Sequence, residues 1–299
     1  MTSCAKAARR AVQSVSSPIL CSFIPYRVPY EKGLQLQEFL VNRRKLARAE
    51  LRAEQIPIDE PSKVPEHLLH AQKVASTDIL LLLEHSPVYT LGKRNDVAAQ
   101  AVAASGLNAP VIQTQRGGLL TYHGPGQLVG YPILDLGPMR LSARCYIDRV
   151  QQTLRDTLAA APIHLTTQEA PSLEAKYTGI WVDDTHKIAS IGVHVRHRVT
   201  SHGFALNIQN KALEGFRNIV ACGLPEVQLT SVEEQLVKRG RSLQLSVPQV
   251  AGRVAAFMGN VLNRDVEMAS NSFLTYIPKN VDGLAMLDQV LVDGKQVFV

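Results

Sequence analysis

The 299-residue chain lacks the features that mark several classes of protein. No hydrophobic run is longer than the five residues from Ile79 to Leu83, whereas a membrane-spanning helix needs about 20. The four cysteines, at positions 4, 21, 145 and 222, form no Cys-x-x-Cys pair, which argues against a zinc ribbon and a disulfide-rich secreted domain. With 45% hydrophobic and 19% charged residues, the chain has the composition of a globular protein.

Acidic residues are missing from the start of the chain, where Glu31 is the first. The same stretch is rich in serine and contains four basic residues: Lys6, Arg9, Arg10 and Arg27. This composition predicts a mitochondrial transit peptide over residues 1–25, and hence a mitochondrial matrix protein; a disordered tail is the alternative. Without those four residues, 28 basic residues face 26 acidic ones. So small an excess gives little support to nucleic-acid binding.

Hydrophobic periodicity predicts the secondary structure of the remaining chain. The predicted helices cover residues 31–55, 143–160, 247–262 and a short segment after Ser231. The predicted strands cover residues 78–85 and 199–208, a hairpin over 178–198 and a final hairpin that turns at Asp293-Gly294. Three prolines predict a loop over 56–65. Interleaved helices and strands without an internal repeat indicate an α/β or α+β domain with a central sheet.

The most informative segment is rich in glycine. Four glycines and a proline fall within the eleven residues from Arg116 to Gly126, so the backbone there can approach a ligand closely. Composition alone is equally typical of a tight loop between two strands. Four polar side chains can point into one space: Arg116, Thr121, His123 and Gln127. The segment is neither a P-loop nor a dinucleotide fingerprint, because the required spacings are absent.

Residues 116–131 resemble the signature RGGxxTYHGPGQLxxY of the lipoyl/octanoyl transferase family. Further matches follow in the order of that family, at residues 177–181, 187–192, 200–207 and 222–224. The resemblance covers roughly residues 28–262. It implies a mixed central sheet flanked by helices, as in biotin and lipoate protein ligases. On this basis a catalytic domain is expected over 26–265, followed by a C-terminal extension over 266–299.

The resemblance also implies an activity. Members of the family transfer an octanoyl group from acyl carrier protein to a lysine of lipoyl domains, as the first step of endogenous protein lipoylation. The expected acceptors are lipoyl domains of 2-oxoacid dehydrogenase complexes or the glycine cleavage H protein. The family assigns an acyl-thioester intermediate to Cys222 and a proton-transfer role to Lys187. No cofactor, metal, nucleic acid or membrane span is expected.

The residues themselves are compatible with these two roles. A lone cysteine is usually a small buried hydrophobe, but a thiolate exchanges readily with an acyl thioester, and Gly223 allows an exposed amide beside Cys222. Lys187 is in register with Ala189 and Ile191, so without a bulge its stem enters the covered face of the sheet. A solvated lysine at a hairpin end is the alternative. A nearby cation lowers the pKa of a thiol by roughly 1–3 units, although a neutral lysine–thiol pair competes.

The family places its acyl pocket along three segments of this sequence. The implied substrate-binding residues are Arg116, Gly117, Gly118, Leu119, Leu120, Thr121, Tyr122, His123, Ser190, Ile191, Gly192, His202, Gly203, Phe204 and Ala205. Leu119 and Leu120 stand where bacterial members commonly have Gln-Val, and both are suitable walls for an alkyl chain. Each buried CH₂ contributes about 0.8 kcal/mol, so an eight-carbon chain can dominate binding.

Three alternatives to this interpretation stay open. An ATP-dependent lipoate or biotin ligase would need an adenylate site and no nucleophilic cysteine. A non-catalytic carrier-binding protein would tolerate loss of Cys222. A metal site is disfavoured, since His194 and His197 point to opposite faces if they lie on one strand.

For an acidic carrier protein, a docking patch is predicted at Arg196, Arg198 and Lys211.

Overall fold

The computed structural model describes residues 17–58, 64–93, 109–172, 174–219, 226–282 and 284–297. The α-helices of these ranges are α1 (Tyr30–Ala53), α2 (Leu69–Ser76), α3 (Ala143–Ala159), α4 (Val232–Lys238) and α5 (Val247–Leu262). Short 3₁₀ helices cover Glu66–Leu68, Ala175–Tyr177 and Asn210–Asn218. The helix predictions are confirmed to within two residues at each described end.

The strands include those predicted and several that the sequence did not reveal. They are β1 (Ile19–Val28), β2 (Asp78–His85), β3 (Val88–Leu91), β4 (Val111–Gln113), β5 (Thr121–His123), β6 (Gln127–Ile133), β7 (Gly179–Trp181), β8 (His186–Arg196), β9 (Val199–Asn207), β10 (Gln228–Leu229), β11 (Val266–Met268), β12 (Leu274–Val281), β13 (Leu284–Val292) and β14 (Lys295–Gln296). Strands β7 and β8 form the predicted hairpin, and β13 and β14 form the predicted final one.

Most of these strands form one large mixed sheet in the order β10-β8-β9-β6-β2-β1-β13-β12. Strands β7, β11 and β14 pair with β8, β1 and β13 beside this path. A second, three-stranded sheet has the order β4-β3-β5. Because β1 and β2 are parallel whereas β2, β6, β9 and β8 pair antiparallel, the sheet is mixed, as predicted.

Side chains of the central strand β2 alternate between two hydrophobic cores. Leu80 and Leu82 enter the core on the side of α3 and α5, whereas Ile79, Leu81 and Leu83 enter the core under α1. A strand covered on both faces must be apolar throughout, which is why its sequence is a continuous hydrophobic run. The sheet is therefore flanked by helices, which confirms the expected α/β (α+β) fold class.

Three serines define the starts of the last three helices. The Ser142 hydroxyl accepts a hydrogen bond from the Cys145 amide (3.1 Å), and the Ser231 hydroxyl accepts one from the Glu234 amide (3.0 Å). Ser246 begins α5 with a reciprocal capping box. Each cap satisfies an amide that the helix itself leaves unpaired, so these helices begin where the sequence predicts.

Both ends of the described chain belong to the large sheet. Strand β1 begins at Ile19, inside the predicted leader over 1–25, and Ile19, Cys21 and Ile24 are buried. A leader peptide, which stays a prediction, would have to end before Ile19; residues 1–16 lie outside the described residues. The segment expected as an extension, 266–299, supplies strands β11–β14 to the same sheet.

A buried ionic cluster joins distant parts of the chain. The Asp78 carboxylate pairs with the guanidinium of Arg44 (2.6 Å) and with that of Arg264, which also donates to the Ser17 carbonyl (3.0 Å). These contacts tie α1 and the second residue after α5 to the start of β2. No helix of the described ranges is both long and apolar enough to cross a membrane.

Candidate active site

A pocket lies between the large sheet and the small one. It contains about 590 Å³ of empty space, including its open mouth. From the glycine-rich segment it is lined by Arg116, Gly118, Leu119, Thr121 and His123. From β8 and β9 it is lined by Lys187, residues 190–192 and residues 202–205. The three segments named in the sequence therefore meet at one pocket.

Three of the predicted residues lie next to this pocket without lining it. Leu120 and Tyr122 point into a separate core beneath the small sheet, with Tyr89 and Phe216. Side chains of an extended chain alternate between faces, so Thr121 and His123 line the pocket while their neighbours do not. Leu120, which was expected as an acyl-pocket wall, therefore does not line this pocket. Gly117 instead donates its amide to the Val193 carbonyl (3.1 Å), which attaches the glycine-rich loop to β8.

Six residues line the pocket that the sequence analysis did not single out. They are Tyr30, Val129, Tyr131, Ala175, Lys176 and Thr178. Tyr30 and Tyr131 lie in segments that carry the family resemblance, and the alternation of β6 puts Val129 and Tyr131 on one face. Thr178 lies in the further match at residues 177–181, whereas Ala175 and Lys176 belong to a 3₁₀ helix before β7 that has no hydrophobic pattern.

Arg116 braces the glycine-rich loop. Its Nη2 donates to the Thr90 carbonyl and hydroxyl (both 2.7 Å) and to the Leu119 carbonyl (2.9 Å). Nη1 donates to the Gly117 carbonyl (3.0 Å). The guanidinium is thus held by β3 and by its own loop, and it fixes the backbone that forms one pocket wall. Gly192 lets the loop approach, because a β-carbon there would lie 2.8 Å from the Gly117 oxygen.

Hydrogen bonds fix the tautomer of His123. Gln127 Nε2 donates to the Tyr122 carbonyl (3.2 Å) and to Asn207 Oδ1 (3.0 Å), so Gln127 Oε1 is the acceptor for His123 Nδ1 (2.8 Å). His123 Nδ1 therefore carries the proton, and Nε2 has a lone pair. Burial, reinforced by His85 and Arg116, holds the pKa of His123 well below its usual value. The ring is neutral at physiological pH.

His202 adopts an uncommon backbone conformation at the pocket wall. Its φ is +54°, a left-handed value that non-glycine residues rarely adopt, and its amide donates to Gln37 Oε1 (2.8 Å) on α1. Burial lowers the pKa of His202 to about 3, with a smaller effect of Arg116. In the described part of the chain, His202 Nδ1 and Thr121 Oγ1 are buried without a hydrogen-bond partner. These two atoms are polar groups that a ligand in the pocket could satisfy.

A neutral aromatic cluster forms another wall. His85 Nδ1 donates to the Val28 carbonyl (2.8 Å), so its Nε2 accepts from the Tyr131 hydroxyl (2.6 Å). The Tyr30 ring stacks on His123, with ring centroids 5.9 Å apart. Burial lowers the pKa of His85 to about 4 and raises that of Tyr30 to about 12. This wall therefore carries no charge at neutral pH.

Lys187 points into the pocket, and its side chain is 1% exposed. Burial was expected, but the register differs from the expectation. Gly179 pairs with Ser190 and Ile180 with Ala189, whereas a bulge makes Trp181 pair with Lys187. Because the bulge adds one residue, Lys187 shares the pocket face with Ser190 and Gly192 and leaves the core face of Ala189. Cys222, its predicted partner, lies outside the described residues.

The predicted docking patch stays a prediction. Arg196, Arg198 and Lys211 are all exposed. Arg198 also donates from Nη2 to the carbonyls of Leu136 (2.8 Å) and Leu141 (3.3 Å), so it holds the loop after β6.

Among the described residues, no group of three histidine, cysteine, aspartate or glutamate side chains could hold a metal ion. His194 lies on β8, but His197 follows that strand at a turn with a φ of +49°. The two imidazoles therefore do not belong to one strand.

Comparison with known proteins identifies the chain. Residues 60–257 match the family model described as the lipoyl protein ligase A/B catalytic domain. An octanoyltransferase of Frankia casuarinae is 40% identical over 183 residues, which are 61% of this chain and 80% of that protein. The chain therefore belongs to the lipoyl protein ligase A/B catalytic-domain family, and within it to the octanoyltransferases, which are acyltransferases.

Two further relatives differ in the share that is matched. The mitochondrial octanoyl-[acyl-carrier-protein]:protein N-octanoyltransferase LIPT2 of Danio rerio is 40% identical over 175 residues, 58% of this chain and 73% of that protein. An octanoyltransferase of Myxococcus xanthus is 42% identical over 179 residues, 57% of this chain but only 47% of that protein. The chain thus spans about half the length of that relative.

Solved structures share the fold. Lipoate-protein ligase A bound with ATP superposes with a TM-score of 0.52 at 12% identity, covering 85% of this chain and 89% of that one. Protein Ta0514 of T. acidophilum with bound lipoic acid gives a TM-score of 0.51 at 13% identity, covering 86% and 90%. At such low identity these likenesses establish the expected lipoate-ligase-like fold and nothing of the reaction.

Proposed function

We propose that this acyltransferase moves an octanoyl group from acyl carrier protein to a lysine of a lipoyl domain through a thioester on Cys222. The observation that carries the proposal is a lysine, Lys187, buried in a pocket formed by the family's signature segments. A buried lysine needs a partner that offsets the loss of water, and an ionisable group held in a pocket marks a candidate functional site. Because the chain belongs to the octanoyltransferases, the acyl group of the proposal is octanoyl.

Chain connectivity supports a partnership between Cys222 and Lys187. Leu229 on β10 pairs with Lys187, and the Thr230 amide donates to the Lys187 carbonyl (3.0 Å). Cys222 precedes Leu229 by seven residues. On the other side, Phe216 packs beneath the small sheet, against Tyr122. The described residues Phe216 and Leu229, on either side of Cys222 in the sequence, therefore belong to elements that border the pocket.

The proposed reaction has two balanced transfers. Cys222 Sγ, deprotonated by Lys187, attacks the octanoyl carbonyl; a carbon–sulfur bond forms, and the carrier thiol leaves with the proton. The acceptor lysine amine then attacks the new thioester, forming an amide and releasing the Cys222 thiolate. The proton lost by that amine returns to the Lys187–Cys222 pair. Because the intermediate stays on the enzyme, the two carrier domains need not bind together.

The pocket suits a medium alkyl chain with a polar end. Leu119, Val129 and Phe204 supply apolar walls. Burial of each CH₂ yields about 0.8 kcal/mol. The unpartnered Thr121 hydroxyl and His202 Nδ1 line the same pocket, and they are available to the acyl carbonyl or to a bound water. The product, an octanoylated lipoyl domain of a 2-oxoacid dehydrogenase complex or of the glycine cleavage H protein, would enter lipoylation.

The test is transfer between purified carriers in the absence of ATP. Octanoyl acyl carrier protein, a lipoyl domain and the enzyme are mixed, and intact mass spectrometry follows each protein. We expect the lipoyl domain to gain one octanoyl group without ATP. Octanoylation that requires free octanoate and ATP would instead assign the ligase activity that the shared fold allows, and no modification would overturn the proposal.

A mitochondrial location is proposed on two grounds. Residues 1–16 are basic and free of acidic side chains, and the relative from Danio rerio is named a mitochondrial protein. The full chain, synthesised in vitro with isolated mitochondria, should become protected from added protease in a manner that depends on membrane potential. Protease sensitivity of all the chain would contradict this location.

A further inference from the structure

Trp181 is in direct contact with Lys187. The Lys187 Nζ lies 5.4 Å from the centroid of the Trp181 ring, within the range of a cation–π interaction. Both side chains are buried, with an exposure of 0% for Trp181 and 1% for Lys187. An indole face in a site without bulk water stabilises a lysine cation more than one at the surface does.

The indole is held in this orientation by its own contacts. Trp181 Nε1 donates to the Tyr177 carbonyl (2.8 Å), and the Gln168 amide donates to the Trp181 carbonyl (2.9 Å). The bulge between β7 and β8 makes Trp181 the direct cross-strand neighbour of Lys187, so both side chains lie on the same face. The ring therefore has a fixed position relative to the ammonium group.

Gly179 packs against the side-chain stem of Lys187. A β-carbon at residue 179 would overlap Lys187 Cε. The absence of a side chain at Gly179 thus leaves room for the stem of Lys187. The ring of Trp181, on the same strand, faces its ammonium group.

We propose that Trp181 is a positioning residue that holds Lys187 in the pocket and favours its ammonium form over the neutral amine. This rests on the proposed role of Lys187. An ammonium group at this point would stabilise the Cys222 thiolate and could return a proton to a leaving thiol. Trp181 itself neither forms a bond to the acyl group nor transfers a proton, and it acts through the lysine.

The other titratable groups around Lys187 keep one charge state between pH 6 and 9. Those that line the same pocket are Tyr30, Arg116, His123, Tyr131, Lys176 and His202. Burial holds the pKa values of both histidines low and those of both tyrosines high, and Glu174 raises the pKa of Lys176. Arginine stays protonated throughout.

Among the described residues, β7, β10 and the buried face of α3 add no group that titrates in this range. Strands β7 and β10 consist of Gly179–Trp181 and Gln228–Leu229, without ionisable side chains. The buried face of α3 carries one titratable group, Tyr146, whose pKa burial raises far above its usual value. Glu226 raises the pKa of Tyr177, which precedes β7. In the described part of the chain, His186 precedes Lys187 on β8 and bonds to Asp183 (2.9 Å), so the titration is followed at the Lys187 signal itself.

The experiment uses the fact that Trp181 is the only tryptophan of the chain. Full-length Cys222→Ala protein, which lacks the coupled thiol, is made with ¹³C-lysine and with tryptophan carrying zero to three ring fluorines. Fluorine withdraws charge from the ring face and weakens a cation–π contact while leaving the indole shape nearly unchanged. The Lys187 Cε signal, assigned by its loss in Lys187→Met, is followed by NMR against pH.

We expect the Lys187 titration midpoint to fall stepwise with fluorination, by a total of about 0.4–1.5 pH units, which corresponds to the range of cation–π strengths. Trp181→Leu should lower the midpoint similarly, and Trp181→Phe should restore most of it. In Cys222-containing protein, the alkaline limb of the pH profile of kcat/KM should move by the same amount. A midpoint that stays constant across the fluorinated series would overturn the proposal.

The series separates this inference from the proposed function. The midpoints are measured without any acyl transfer, so they can shift even if the wild-type protein transfers no octanoyl group. Conversely, octanoyl transfer with a constant midpoint leaves the transferase standing and removes the role of Trp181. Because fluorinated variants keep the indole volume, a folding failure of Trp181→Leu does not prevent the test.

Discussion

Replacement of Cys222 by alanine is expected to lower kcat/KM for octanoyl transfer at least about 10³-fold, since the proposed thioester forms on its sulfur. Cys222→Ser should also be inactive, because a serine hydroxyl has a far higher pKa than a thiol and is a poorer leaving group once acylated. The measurement is the initial rate of mass gain of the lipoyl domain, together with the mass of the enzyme under conditions that preserve thioesters.

Cys21→Ala provides the matched cysteine control. Cys21 is a buried core residue of β1, and burial raises the pKa of its thiol to about 12, so it is not a nucleophile at neutral pH. This variant should lose some stability but retain a rate within about threefold of wild type at temperatures where it is folded. Transfer by Cys222→Ala at more than a tenth of the wild-type rate would exclude the covalent route.

Replacement of Lys187 by methionine is expected to lower kcat about 10²–10⁴-fold, the usual cost of losing a proton-transfer group. Methionine is similar in length and apolar, so it should keep the pocket filled while removing the amine. Stopped-flow measurement of carrier release would show whether the first transfer is slowed. The rate of Cys222 alkylation at pH 7 should fall as well, since the thiolate loses its cationic neighbour.

Lys238→Met is the control for this variant. Lys238 is exposed at the end of α4, where it pairs with Glu234 one turn away, and it lines no part of the pocket. Its loss should change neither the transfer rate nor the alkylation rate by more than about twofold. If Lys187→Met alkylates and transfers as fast as Lys238→Met, Lys187 has a structural role only.

The sequence predicts those parts of the fold where local pattern and tertiary environment agree. Residues 79–83 of β2 are apolar without a break because both faces of the strand are covered, and α3 starts at Ser142 because its hydroxyl caps the helix. The long hairpin of β12 and β13 was not predicted. Much of β12 is exposed, so its sequence shows no regular alternation of apolar and polar residues. Strand β13 joins the sheet through β1, which is more than 200 residues away in the sequence.

The site shows the same limit at the level of single residues. The signature segment predicted much of the pocket wall, because many of the residues that line the pocket lie in short motifs that resemble those of the family. The face of Lys187 depended on a bulge, and a bulge leaves no mark in the alternation of one strand read alone. Likewise, the use of Arg198 for two backbone carbonyls of a distant loop could not be foreseen from its charge.

The position of β1 has a consequence for biosynthesis. One edge of this strand pairs with β2, whereas the other pairs with β11 over Ile19–Cys21 and with β13 at Arg27. A nascent chain thus exposes an open edge of its first strand until nearly the whole polypeptide has left the ribosome. The sheet can form completely only after β11 and β13 have been synthesised. We expect the emerging chain to bind chaperones until then.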